Sequence, residues 1–320
     1  MSKVCTMQEA VSKYVHSGDH IVLGGFTTNR KPYAAVMEII RQGLTDFVGE
    51  GAAAGGDWDI LIGEGRVKAY TNCYTANSGV TNVSRRFREW FEKGKLNMED
   101  YSQDVVLLML HAAALGLPFL PVRLMQGSDL TAKWGISKET RKTLAKIPED
   151  KFVYVDNPFK PGEKVVAVPV PDIDVAVIHV QKASPDGTCS IEGDEFQDVD
   201  IAVASKRCIV TCEELVSNEE IRRDPTKNSI PCFCVDAVVL APFGAHPSQC
   251  YNYYDYDNPF LKVYDVASKT QEDFEAFMKE WCFDLKDHDE YLNKLGATRL
   301  LNLKVIQGLG YHIDMTKEGK

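Results

Sequence analysis

Two adjacent glycines, Gly24 and Gly25, are followed by Phe26, Thr27, Thr28, Asn29, Arg30, Lys31 and Pro32, and are preceded by the apolar run Ile21-Val22-Leu23. Apolar β-formers, a glycine pair, a polar run and a proline predict a strand, a tight loop and a helix, with Pro32 at the first helical position. Glycines at a strand exit permit positive φ and a close approach of ligand to backbone. The N–H groups of Gly25, Phe26, Thr27 and Thr28 can then point at a developing negative charge, which is what an oxyanion hole requires. The same residues also suit an ordinary strand-to-helix turn. Gly24, Asn29 and Arg30 flank the loop as candidate substrate contacts.

Other groups with chemical potential lie further along. Asn77, Ser78 and Gly79 follow the strand-like run Val67–Thr71, and small polar residues at a strand's end suit a ligand crevice in an open α/β sheet. Gln103 heads the apolar run 105–115; its amide is either a helix cap or an uncharged donor at an electropositive helix end. His179 lies on an apolar strand, where a histidine is more often a satisfied core residue than a catalyst. Glu50 and Glu64 stand between glycines. Gly49, Gly51 and Gly55 resemble a dinucleotide-binding fingerprint only loosely, and the acid that should follow about twenty residues on is missing from Val67–Asn72. The nine cysteines, an odd number without a secretion signal, read as reduced thiols. Cys208 and Cys212 share one face of a strand, and Cys232 and Cys234 one face of another, with no zinc-type spacing, so no metal is expected.

The elements that must hold these residues alternate. Thr6–Glu9 is a capping box opening a helix; strands are expected near 21–23, 46–48, 67–71, 165–170, 174–180, 201–204, 208–212 and 235–240, with helices between them. Glu213-Glu214-Leu215-Val216 reads as the opening of a short helix. Such alternation predicts an α/β fold, a largely parallel open sheet with helices on both faces, plus a C-terminal helical extension. The division expected is 1–269 for the α/β domain, with a charged surface excursion near 132–164, and 270–320 for the helical extension, where Phe274, Phe277, Met278 and Trp281 fall on one helical face. A chain of 320 residues with 44% hydrophobic and 26% charged residues can build such a core. Its net charge of −10 argues against a general nucleic-acid binder. No apolar run is long enough for a membrane span, and the first residues carry no apolar signal core, so a cytoplasmic protein is expected.

The glycine loop with its strand and proline resembles the first signature of the family I coenzyme A transferases. Ser17 and Arg30 depart from the usual pattern, in which an Asp or Asn precedes Gly18 and a glycine is common at position 30. The stretch from Gln103 to Gly116-Leu117-Pro118-Phe119, the strand carrying His179 with its Pro185-Asp186-Gly187 turn, and Pro242–Pro247 resemble the same family. The tyrosine-rich, helical C-terminus resembles the glutaconate-type A subunits. The resemblance implies ping-pong transfer of CoA from an acyl-CoA to a carboxylic acid through a glutamyl-CoA thioester. It needs no cofactor beyond CoA as substrate. The family's nucleophilic glutamate lies in a Ser-Glu-Asn-Gly motif. That motif is nowhere in this sequence, which implies a partner B subunit carrying it, in a heterotetramer or larger. Gly25–Thr28 and Gln103 would then hold the oxyanion. Gly24, Asn29, Arg30, Asn77, Ser78 and Gly79 would contact substrate, Arg30 and Lys31 holding the distal carboxylate of a dicarboxylic acid or Arg30 reaching a phosphate. A CoA-ester (ring-opening) hydrolase on the same scaffold, and a non-catalytic CoA-thioester-binding chain, are the alternatives.

Overall fold

The computed structural model describes residues 2–306 and 308–309. In chain order the first half contains α1 (Met7–Tyr14), β1 (His20–Leu23), α2 (Tyr33–Arg41), β2 (Phe47–Gly51), α3 (Gly56–Gly63), β3 (Val67–Asn72), α4 (Arg85–Glu92), β4 (Asn97–Asp100) and α5 (Gln103–Ala114). It continues through β5 (Phe119–Val122), α6 (Asp129–Ala132), α7 (Lys138–Arg141), β6 (Val153–Asp156), β7 (Lys164–Pro169), β8 (Val175–Ala183), β9 (Cys189–Ser190), α8 (Asp198–Ala204) and β10 (Arg207–Leu215). The last part is α9 (Asn218–Arg222), β11 (Asn228–Ile230), β12 (Ala237–Leu240), α10 (Asn258–Ala267), α11 (Gln271–Met278), α12 (His288–Leu295) and α13 (Ala297–Leu303).

Strands β12, β10, β8, β1, β2, β3 and β4 pair in that order, every pair parallel, and β9 and β11 add an antiparallel edge to β8. The central β8 is almost wholly buried, the near-continuous apolar run that a strand covered on both faces requires. Alternation along the strands splits the core into two. Ile21, Leu23, Phe47 and Val177 face α2, α3 and the C-terminal helices, packing with Ile39, Trp58, Phe274, Phe277 and Met278. Val22, Ala176, Ile178 and Val210 face the other way, onto Val105, Val106 and Met109 of α5 and Ile201 of α8. Helices thus cover both faces, and α11 inserts into the same core as α2 and α3. Among the described residues no helix is long and apolar enough to cross a membrane.

Four expectations change. The run 201–204, expected as a strand, is the second half of helix α8. Pro32 is the residue before α2 rather than its first, because Tyr33 N–H turns back onto Lys31 O at 2.8 Å. The charged stretch 132–164 is not all surface: β6 joins β7 and β5 in a small antiparallel sheet, and Arg141 and Lys151 are buried. Their counter-charge explains this, since Glu99 lies 2.9 Å from Lys151 Nζ, pairs with Arg141 and accepts Gly135 N–H at 3.0 Å. A charge run can enter a core when each charge meets an opposite one. Cys232 and Cys234 occupy a single 3-10 turn before β12, not a strand. Cys208 and Cys212 on β10 are buried free thiols, and burial pushes Cys212 up to about 12.

Candidate active site at the carboxyl edge

Because β1, β2, β3 and β4 are parallel, the segments that follow them all leave the same edge of the sheet. Residues 24–29 leave β1, residues 52–55 leave β2, residues 73–79 leave β3, and Gln103 starts α5 just past β4. Backbone hydrogen bonds stitch the first three together. Thr27 N–H donates to Ala53 O at 3.0 Å; Ala54 N–H donates to Tyr74 O and Ala76 N–H donates to Ala54 O, both at 3.0 Å. Gly56 N–H donates to Asn77 Oδ1 at 2.8 Å. This is the crevice position at which open α/β sheets bind ligands.

The glycine loop has a defined shape. Phe26 and Asn29 exchange two backbone hydrogen bonds, at 2.9 and 2.7 Å, leaving Thr27 (φ 44) and Thr28 at the tip. Gly25 has φ +77, and a Cβ there would stand 2.4 Å from Asn29 O; a Cβ on Gly24 would stand 2.8 Å from Asp198 Oδ1. A side chain at either position would force the loop or its neighbour to shift, at Gly25 for conformation and contact and at Gly24 for contact.

This shape changes the donor count. Gly25 N–H donates to Asp198 Oδ1 at 2.7 Å, Phe26 N–H to Asn29 O and Thr27 N–H to Ala53 O. Three of the four expected oxyanion donors are therefore committed within the chain, and among the described hydrogen bonds only Thr28 N–H has no acceptor. Thr28 is half-buried and Asn29 is buried with its Oδ1 unpartnered, so both keep polar capacity to spare.

Arg30 and Lys31 do not face a substrate. Arg30 is fully buried; its guanidinium pairs with Asp198 and donates to His179 O at 3.1 Å and Asp194 O at 2.6 Å. Lys31 is 1% exposed, with Nζ 3.1 Å from Gly24 O, 3.2 Å from Gly25 O and 3.3 Å from Asp57 Oδ2. Burial lifts the Asp57 carboxyl above its ordinary range and Lys31 opposes the shift. The two cations prop the glycine loop from beneath, Arg30 through Asp198 and Lys31 directly. The reading of either as a carboxylate or phosphate grip is corrected by these partners.

The remaining expected residues divide by exposure. Asn77 is buried and its Oδ1 is spent on α3, so it shapes the loop. Ser78 is half-buried, 3.3 Å from Tyr74 Oη, and Gly79 is exposed. Gln103 is exposed, Ser102 holds the N-cap position, and no hydrogen bond of the Gln103 side chain is among those described. It is a free amide at a helix head, not a cap. His179 is a satisfied core residue, Nδ1 at 2.8 Å from Thr211 Oγ1 and Nε2 at 2.7 Å from Glu213 Oε1. Glu213 stays on β10 instead of opening a helix, and also accepts from Tyr254 Oη at 2.6 Å and Phe243 N–H at 2.8 Å. His179, Glu213 and Cys250 are the one cluster of three or more potential ligand groups drawn together among the described residues; the bonds just given already use both imidazole nitrogens. Glu50 is buried within β2, and Glu64 caps the end of α3 at the opposite edge of the sheet.

Asp198 is the residue that sequence reasoning missed. It lies 173 residues from the glycine it holds, and no local pattern announces that contact. The acid-rich run Asp194-Glu195-Phe196-Gln197-Asp198 was the available signal, together with Phe196, whose ring meets that of Phe26 edge-on at 4.8 Å.

Comparison with known proteins decides the family. The sequence profile described as "Coenzyme A transferase" matches residues 4–241. This chain belongs to the coenzyme A transferase family. It is 79% identical to the A subunit of glutaconate CoA-transferase from Acidaminococcus fermentans over 320 residues, covering all of both chains. The crystal structure of that organism's glutaconate coenzyme A-transferase superposes with a TM-score of 0.98, covering 99% of this chain and 100% of the other. The A subunit of a 3-oxoadipate CoA-transferase from Pseudomonas knackmussii is 34% identical over 299 residues, 92% of this chain and 99% of the relative. Within the transferase family, then, the chain is similar end to end to A subunits.

Proposed function

We propose that this chain is the A subunit of a heteromeric CoA-transferase that exchanges CoA between an acyl-CoA and a dicarboxylic acid such as glutaconate. The observation that carries the reading is the end-to-end 79% identity with the A subunit of a glutaconate CoA-transferase. With Arg30 and Lys31 buried, the dicarboxylate preference rests on that relative and not on these cations. Nine unpaired cysteines suit a reducing cytoplasm.

In the reaction, a glutamate carboxylate from the B subunit adds to the thioester carbonyl, forming an acyl-glutamyl anhydride and releasing CoA thiolate. The thiolate attacks the glutamyl carbonyl, giving the glutamyl-CoA thioester and freeing the first acid; the incoming acid reverses both steps. Each addition places charge on one oxygen. Thr28 N–H and the Gln103 amide are the donors this chain offers to that oxygen, and Asp198, Arg30 and Lys31 keep the loop in place so that no reorganisation is needed when the charge develops. Asn29, Ser78 and Gly79 border the crevice on the side of the partner glutamate. The glycine-flanked acids do not substitute for that glutamate, one being buried in a strand and the other at the far edge. CoA is a substrate, and no further cofactor enters these steps.

The test is reconstitution. The chain alone should transfer no CoA; with a B chain bearing Ser-Glu-Asn-Gly, isotope-labelled glutaconate should become glutaconyl-CoA at the expense of a second acyl-CoA. Loss of acyl-CoA to water without label transfer would assign a hydrolase, and CoA-ester binding without turnover a non-catalytic role.

A further inference from the structure

A second concavity of about 310 Å³ lies on the α5 face of the sheet, roofed by Arg141, residues 146–148 and residues 169–172. His20, Glu50 and Thr71 line its sheet side from three adjacent strands; Glu50 registers with Thr71 on one side and with Val22, two residues on from His20, on the other. His20 is 3% exposed and Glu50 is 1% exposed. His20 Nε2 stands 3.4 Å from Glu50 Oε2. Neither imidazole nitrogen, nor Glu50 Oε1, has a hydrogen-bond partner.

The other charged groups and the tyrosine at the cavity have theirs. Arg141 pairs with Glu99 and donates to Ile136 O and Pro148 O, and Lys146 pairs with Asp174. Asp172 is 2.7 Å from Lys206 Nζ, and Tyr101 Oη donates to Lys151 O at 2.7 Å. Glu50 is left as the buried acid without a cation of its own. Burying a carboxylate without donors is costly, and a cation that brings donors removes the cost. Met109, Ile147, Pro148 and Pro169 supply apolar wall, so the cavity combines an apolar body with a small set of convergent polar groups, the usual make-up of a small-molecule site.

We propose that this cavity binds a small organic ammonium compound. Its N–H groups donate to Glu50 Oε1 and to an imidazole nitrogen of His20, and its hydrocarbon body lies against Met109, Ile147 and the prolines. The site is separate from the glycine-loop crevice and stands independently of the transfer reaction.

The experiment is calorimetric titration of the full-length chain with cyclohexylammonium, cyclohexanol and cyclohexanecarboxylate at one ionic strength. The amine should bind saturably and at least about tenfold more tightly than the alcohol, and the carboxylate should not bind, because the unpartnered groups are a carboxylate oxygen and an imidazole and the cations at the cavity already have partners. Glu50→Gln should weaken the amine by about tenfold or more, and Ile147→Trp, which fills the cavity from its wall while leaving Glu50 in place, should abolish binding. Should Glu50→Gln fail to fold, Ile147→Trp decides alone. Equal affinity for alcohol and amine, preference for the carboxylate, or unchanged amine binding in a folded variant overturns the proposal.

Discussion

Replacing Arg30 by methionine separates a substrate-binding cation from a structural one. In the structure the guanidinium is fully buried, pairs with Asp198 and donates to two backbone carbonyls. Methionine fills much of the volume but leaves Asp198 buried without its counter-charge. Removing one partner of a buried pair costs about 3–5 kcal/mol, a large share of the roughly 5–15 kcal/mol that holds a typical domain together. Arg30→Met should therefore lower the stability of the chain by about 3–5 kcal/mol in chemical denaturation. Turnover of the assembled enzyme should fall in the same proportion with glutaconate and with acetate, because the damage reaches the reaction through the glycine loop. Combining it with Asp198→Asn, which keeps an acceptor for Gly25 N–H while removing the stranded charge, should recover most of the lost stability. A variant of wild-type stability that loses dicarboxylate use alone would refute the reasoning and return Arg30 to the substrate.

Three further outcomes are expected. Gln103→Ala should lower turnover by roughly a hundredfold or more, the scale of one lost oxyanion donor, with assembly and melting temperature unchanged; near wild-type turnover would remove Gln103 from the site. Gly25→Ala should fold but lose most activity, because a Cβ at φ +77 meets Asn29 O at 2.4 Å; full activity would show that the loop shape is not required. Burial raises the Asp59 carboxyl to about 6, so the native state keeps a proton that the unfolded chain releases from about pH 4 upward. That group's contribution is therefore most favourable at low pH and declines between about pH 4 and 6, by on the order of 3 kcal/mol. Asp59→Asn, which can still accept from Phe87 N–H, should flatten this part of the pH–stability curve; denaturation midpoints at pH 4.5 and 7 check it, and a parallel shift at both would contradict the assignment.

Much of the scaffold was legible because its signals are local. The run Ile21-Val22-Leu23-Gly24-Gly25 marks a strand exit wherever it stands, and Thr6 with Glu9 caps α1 through both bonds of a capping box. The alternation of strands and helices carried the parallel sheet, and the parallel sheet in turn puts the loops after β1 to β3 and the head of α5 on one edge. What escaped is non-local. Whether Arg30 faces a substrate or a buried acid depends on Asp198, whose place beneath the glycine loop exists only once β8 pairs with β1 and the chain enters α8. Arg141 and Lys151 look like surface charges until Glu99 is known to lie between them. Buried ion pairs join residues far apart in sequence, and no period or spacing records them.

We propose that the nucleophile belongs to the partner chain. Incubating the assembled enzyme with acyl-CoA, reducing the glutamyl thioester with borohydride and locating the modified residue by peptide mass tests it directly. The label should fall on the glutamate of the partner's Ser-Glu-Asn-Gly, with every peptide of this chain unmodified. A reduced glutamate in this chain, at Glu50 or Glu64 above all, would contradict the account.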